Sequence, residues 1–325
     1  MRLILFLLLI TSSYQMSAQK TKSEKVILDT DFGNDCDDAG ALAILHQMAY
    51  QGEAEILATM YPMNDEWGAA AVDVVNTYYG KPNIPIGTYK GSYVYKGKHN
   101  DFYNSKLATD FPNDLKTGLN APDAIALYRK ILSSQPDRSV TIIVIGPQRL
   151  VADLLLSKPD SISKLDGMQL VKRKVKKLVS MGAEYPIGNE WNIRICPDGA
   201  KLVAEHWPTP IVYSGFEIGK PIMTGERLIT ETSENNPVRV AFETNPMVGE
   251  KKNRHSWDET AVLFGVRGLK DYWTMATGKL QIAEDGKNAW ITPANTHQYL
   301  VAKMPIADMK KIIEDMMVAA PTTGK

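Results

Sequence analysis

Residues 140–145 read Val-Thr-Ile-Ile-Val-Ile, an almost unbroken apolar, β-branched run that Gly146-Pro147 stops abruptly. A strand with one face in water alternates apolar and polar residues, whereas a strand without alternation needs cover on both sides. Parallel sheets supply that cover, because their crossover connections lay helices on both faces. The rest of the chain keeps the matching rhythm. Val26–Leu28 precedes a helical pattern at Ala39–Met48, Glu55–Met60 precedes Ala69–Tyr79, and Ile84–Thr88 precedes Pro122–Leu132. The 140–145 run precedes Leu150–Leu156, and Leu178–Met181, Gly199–Glu205 and Ile211–Tyr213 continue the series. The expected fold is therefore α/β, an open, mostly parallel twisted sheet with helices on both faces.

The last third is less regular. Leu280–Ile282 and Ala289–Ile291, on either side of Gly286, predict a small C-terminal antiparallel hairpin, and Met309–Val318 a closing helix. The polar segment Lys90–Leu119 reads as a long loop or flap, and the basic run 171–177 (VKRKVKK) as a solvated strand lead-in or turn. No repeat or linker composition divides the chain, so residues 19–325 are expected to form one domain.

The N-terminus has a positive start at Arg2, an apolar run from Leu3 to Ile10, and a polar stretch of small residues ending at Ala18. This is the layout of a signal peptide over residues 1–18, with Gln19 as the new N-terminus and a secreted or periplasmic product. Eight apolar residues are too few to cross a hydrocarbon layer about 30 Å thick. After cleavage, no membrane association is expected. Cleavage removes one basic group, leaving 37 − 1 = 36 against 37 acidic ones. A protein that binds a phosphate backbone is expected to carry a basic excess, so nucleic acid is not an expected partner. Two cysteines, Cys36 and Cys196, are too few for a disulfide scaffold or a Cys-rich zinc module. In an oxidising compartment they could pair, but two separate buried thiols are the default expectation.

In open parallel sheets, ligands bind beyond the carboxyl ends of the strands. Here the first strand delivers Asp29-Thr30-Asp31-Phe32-Gly33-Asn34-Asp35-Cys36-Asp37-Asp38, five aspartates in ten residues. Such a concentration of carboxylates repels itself unless a cation neutralises it. An all-oxygen donor set fits Ca²⁺ or Mg²⁺ better than zinc. The plainer reading is a solvated turn with one Asp capping a helix, but a cap needs only one. Other polar clusters follow at Asn64-Asp65-Glu66, at Gly188-Asn189-Glu190-Trp191-Asn192 and at His255-Ser256-Trp257-Asp258-Glu259. Carboxylates, amides and tryptophans together suit a polyhydroxylated ligand with a flat ring, such as a sugar or nucleoside. Phosphate-binding glycine loops, a G-x-S-x-G elbow and H-E-x-x-H are all absent from the sequence. Of the five histidines only His255 keeps suggestive company, and His46 reads as structural.

At these residues the chain resembles the nucleoside hydrolases of the inosine–uridine-preferring type. The family's opening D-x-D-P-G-x-D-D is similar to Asp29–Asp38, with Phe32 for Pro and two extra residues before the final pair. Its T-G-P resembles Ile145-Gly146-Pro147, its M-G-G resembles Met181-Gly182-Ala183, its E-F-N resembles Glu190-Trp191-Asn192, and its late H-D pair resembles Trp257-Asp258. The matches run in order along nearly all of the mature chain. The resemblance implies Ca²⁺-dependent hydrolysis of the N-glycosidic bond of ribonucleosides, with a small-molecule nucleoside as partner; a homo-oligomer is compatible with it. It implies Asp31, Asp38, Asp258 and the Ile145 carbonyl as metal ligands, and Asp31 also as general base. It implies that Asp37 and Asn64 bind the 2-hydroxyl side of the ribose, and Glu190 and Asn192 the 3- and 5-hydroxyl side, with Asn189 a substitute there and Trp191 beside them. Trp257 stands where many members carry a His that protonates the leaving base. Either stacking on its indole or protonation by His255 could take over that role. Two other classes use some of these features. A haloacid-dehalogenase phosphatase also opens with D-x-D, though with Thr or Val where Gly33 stands, and an exported sugar- or nucleoside-binding protein would use the same amides.

Overall fold

The computed structural model describes residues 23–321; the expected signal peptide lies outside them. Among the described residues twelve strands are formed. The first six are β1 (Glu24–Asp29), β2 (Ala54–Tyr61), β3 (Ile86–Thr88), β4 (Val140–Val144), β5 (Val175–Met181) and β6 (Ile187–Gly188). The others are β7 (Ile211–Ser214), β8 (Met223–Thr224), β9 (Arg254–His255), β10 (Trp273–Ile282), β11 (Asn288–Ile291) and β12 (His297–Ala302). Ten of them make one sheet in the order β3-β2-β1-β4-β5-β7-β12-β10-β11-β6, and β8 pairs with β9 separately. Every pair from β3 to β12 is parallel, and β12/β10, β10/β11 and β11/β6 are antiparallel.

The sheet separates two apolar cores, and the pleat decides which residue enters which. Val26, Leu28, Ile143 and Ile145 face one core, whereas Ile27, Val140, Ile142 and Val144 face the other. Each such side chain contributes about 1.5–3 kcal/mol when withdrawn from water. This two-sided burial is why the 140–145 run shows no alternation. On the first face the helix Asp37–Tyr50 is buried nearly all round, wedged between the sheet and the helices Trp257–Arg267 and Ile306–Met317.

The expected hairpin forms, with Leu280 opposite Trp290, and it extends the main sheet. The flap between Lys90 and Leu119 is not all loop, since it contains the helix Asn104–Asp110 and a 3₁₀ turn at Gly118–Asn120. The basic run 171–177 does lead into a strand, since Val175, Lys176 and Lys177 open β5, but its first half is helical. Residues 171–174 close the helix Gly167–Lys174, which a capping box of Asp166 and Gln169 starts. Lys172, Arg173 and Lys174 occupy its last turn, where cations oppose the negative end of the helix dipole.

Candidate active site

The ends of the central strands open into a cavity of about 360 Å³. Asp31 lies two residues beyond β1, Ile145 directly beyond β4, Met181 at the end of β5, and Phe216 two residues beyond β7. Three of the polar groups arrive on helix N-termini. Asp37 and Asp38 fill the first turn of the helix Asp37–Tyr50, and Asp258 the first turn of the helix Trp257–Arg267. Helix dipoles favour negative charge there, which offsets part of the repulsion among the carboxylates.

One oxygen from each of Asp37, Asp38 and Asp258 lies within 4.8 Å of the other two, and all three residues are buried. Burial, then the neighbouring carboxylates, drives the pKa values of Asp38 and Asp258 well above the carboxylate range, and burial does the same to Asp37. Asp31, in the same wall, is pushed up to about 6, mainly by burial, with His99 acting against the rise. Four buried carboxyls that resist ionisation in one cavity form a site that a hard cation would relieve. The Ile145 carbonyl faces the same group of residues and accepts a hydrogen bond from Asn192 Nδ2 at 3.1 Å.

Glu190 caps the short helix Trp191–Ile195, accepting from the backbone N–H of Asn192 at 2.8 Å and of Ile193 at 3.1 Å. Burial pushes its pKa up to about 7, against the pull of those bonds. Trp191 lines the wall with Arg194 over its ring at 4.8 Å, and its buried indole N–H has no partner among the described residues. Gly146 leaves room for the Asp31 carboxylate. A Cβ there would stand 2.8 Å from Asp31 Oδ1.

Of the residues singled out in the sequence, the structure brings Asp31, Asp37, Asp38, Ile145, Glu190, Trp191, Asn192, Trp257 and Asp258 to one cavity. Asn64, Asn189 and His255 do not line it. Asn64 and Asn189 are both exposed; beside Asn64, Asp65 turns its carboxylate onto the backbone of Trp67 and Gly68 to start the next helix. His255 hydrogen-bonds the Lys220 carbonyl through Nδ1. Cys36 and Cys196 are separate buried thiols.

Several wall residues were not singled out by the sequence. Phe216 stacks on Trp257 at 5.1 Å, and Phe102, Met247 and Asn100 complete that side. Arg254 is tied to Asp35, one of the five aspartates noted after β1, and its guanidinium also lies 5.0 Å over the Trp257 ring. His99 on the flap hydrogen-bonds the main-chain carbonyl of Asp31. Arg254 stands only three residues before Trp257, which was the one available hint.

The family model for the inosine-uridine preferring nucleoside hydrolases matches residues 26–290. A pyrimidine-specific ribonucleoside hydrolase of Citrobacter koseri is 33% identical over 100 residues, which is 29% of this chain and 28% of that protein. The alignment thus spans under a third of that relative's length. Among solved structures, an inosine-guanosine nucleoside hydrolase superposes with a TM-score of 0.71 at 17% identity, covering 91% of this chain and 98% of that one. A purine-preferring ribonucleoside hydrolase from Gardnerella vaginalis gives a TM-score of 0.69 at 16% identity, covering 92% and 99%. At such identities these two speak for the fold alone.

Proposed function

The chain belongs to the inosine-uridine preferring nucleoside hydrolase family, and from that premise we propose that it hydrolyses the N-glycosidic bond of ribonucleosides, releasing free base and ribose. The observation that carries this reading is the gathering of buried carboxylates and aromatic rings in one cavity at the strand ends. Asp38, Asp258 and the Ile145 carbonyl, with Asp31 or Asp37 beside them, would hold a divalent cation, and their all-oxygen character favours Ca²⁺. When bound, the ion supplies positive charge that orients the ribose diol and acidifies water.

The protein's own groups account for the rest. Asp31, once ionised, accepts a proton from the attacking water, whose oxygen bonds to the anomeric carbon as the bond to the base breaks. The ring carbon passes through oxocarbenium character, which the surrounding carboxylates stabilise. Asp37, Glu190 and Asn192, which line the same cavity, would take the ribose hydroxyls. The wall carries six acids (Asp31, Asp35, Asp37, Asp38, Glu190 and Asp258) against one base, Arg254. One divalent cation leaves that wall negative, so uncharged nucleosides should be preferred over nucleotides.

The test is incubation of the mature protein with inosine, guanosine, adenosine, uridine and cytidine, with Ca²⁺ and then with excess chelator, followed by chromatography of base and ribose. Chelator-sensitive release that Asp31→Ala abolishes supports the reading; no release from any nucleoside, with Ca²⁺ bound, refutes it. Export to the periplasm or medium is the second half of the proposal. It rests on the sequence of residues 1–18, and N-terminal sequencing of the fractionated protein would find Gln19 first.

A further inference from the structure

We propose that Arg254, held in place by Asp35, receives the departing base and so does the work that a protonating histidine would otherwise do. The inference rests on the hydrolase reading above and extends it to the leaving group.

The two residues suggested by the sequence for this task are poorly placed for it. His255 is committed through Nδ1 to the Lys220 carbonyl and does not line the cavity. The Trp257 indole already has Phe216 at 5.1 Å, His255 at 4.6 Å and the Arg254 guanidinium at 5.0 Å against it, and its N–H donates to the Phe216 carbonyl at 2.9 Å. Little of its face is left for a base to stack on.

Arg254, by contrast, lines the cavity and is fixed at both ends. Its backbone lies in β9, paired with Thr224 of β8. Its Nε donates to Asp35 Oδ1 at 2.8 Å and Oδ2 at 3.0 Å, and Nη2 also bonds Oδ2. Asp35 is itself anchored, since its Oδ1 accepts the Cys36 N–H at 2.8 Å and its carbonyl accepts the buried Tyr103 hydroxyl at 2.6 Å. That leaves Nη1, which makes no hydrogen bond among the described residues. A rigid guanidinium with a free edge beside an aromatic wall is suited to a planar heterocycle that bears acceptors.

When the glycosidic bond breaks, the electron pair goes to the base, and in 6-oxopurines and uracil the charge spreads onto ring nitrogens and carbonyl oxygens. Guanidinium donors stabilise that anion without titrating. The same donors meet an amino group in adenine and cytosine, a donor against a donor, which forfeits a hydrogen bond. Arg254 is thus a specificity-determining residue, and Asp35 is its positioning partner.

The test compares inosine, adenosine and 4-nitrophenyl β-D-ribofuranoside, whose leaving group needs no hydrogen-bond assistance, in the Ca²⁺-loaded full mature protein. Arg254→Ala should lower kcat/KM for inosine relative to the nitrophenyl riboside by about tenfold or more, and should shrink the inosine-to-adenosine ratio similarly. Asp35→Asn should do the same to a smaller degree, and Arg254→Lys should restore part of the loss. Circular dichroism confirms that each variant is folded. Ratios unchanged in Arg254→Ala, with the nitrophenyl riboside still cleaved, overturn this inference and leave the hydrolase reading standing. Selective loss of inosine cleavage in His255→Gln also overturns it and moves the task to His255. A wild-type protein that cleaves none of the three substrates overturns the hydrolase reading and this inference together.

Discussion

The helix that presents Asp37 and Asp38 is held from behind by a histidine that resists protonation where it sits. His46 is fully buried on the helix Asp37–Tyr50, its Nε2 lies 2.9 Å from Asn76 Oδ1, and its ring stacks on Tyr79 with centroids 4.7 Å apart. With Nε2–H donating to Asn76, Nδ1 carries the lone pair, and it has no partner among the described residues. Protonation would therefore bury an unpaired N–H together with a positive charge. Burial accordingly lowers the pKa of His46 from 6.5 to about 4, with Lys81 adding to the fall and the Asn76 bond opposing it. The sign follows directly. The unfolded chain binds a proton at His46 near pH 6.5 and the folded one only near pH 4, so stability is lost as pH falls through that window. The full loss is about 3 kcal/mol, of which about 2 kcal/mol has gone by pH 5. The assay is urea unfolding of the wild type and His46→Gln from pH 7.5 to pH 4. Glutamine keeps a donor for Asn76 but has nothing to titrate. At pH 7.5 the variant should be the less stable by about 1–2 kcal/mol, because stacking on Tyr79 is lost. The gap should close or reverse as pH falls. A gap that stays constant across the window would refute the reasoning, as would one that widens toward acid.

Four further outcomes follow from the site. Ca²⁺ at about a hundred times its dissociation constant should stabilise the protein by about 2.7 kcal/mol, about 4 °C of melting temperature for a chain this long, and Asp38→Asn should abolish that shift in differential scanning fluorimetry. With Asp31 pushed up to about 6 by burial and needed as the carboxylate, kcat/KM should fall as pH drops, with the limb at or below about pH 6 because a bound cation favours the ionised form; activity that rises toward acid would contradict the assignment. Gly146→Ala places a methyl 2.8 Å from Asp31 Oδ1 and should lower kcat about a hundredfold by displacing that carboxylate, with a smaller effect on melting temperature. Asn64→Ala should leave kcat/KM within about twofold, as expected for a side chain exposed away from the cavity.

What the sequence revealed and what it concealed divide along one physical line. The run 140–145 and the aspartates after β1 are legible because each breaks a local rule. A strand without alternation must be buried on both faces, and five carboxylates at one strand end need a common reason. The elements near them were placed to within a few residues for the same cause, with the helix read at Ala39–Met48 observed at Asp37–Tyr50. The leaving-group side of the cavity breaks no such rule. Arg254 meets Asp35 across 219 residues of sequence, and His99 meets the Asp31 carbonyl across 68. An arginine before a short strand and a histidine on a polar flap are ordinary until their partners are known. The exposure of Asn64 is a local matter by contrast, since Asp65 bonds the backbone of Trp67 and Gly68 two and three residues on and the chain turns there with Asn64 in solvent. The half proposed to face the ribose is therefore built largely from strand ends and helix N-termini, which local sequence encodes. The half proposed to face the base is built from pairings that exist only once the flap and the segment before Trp257 have folded over it. Substitutions that retune base preference should accordingly cluster in those two segments, and substitutions that abolish the reaction should cluster at the strand ends.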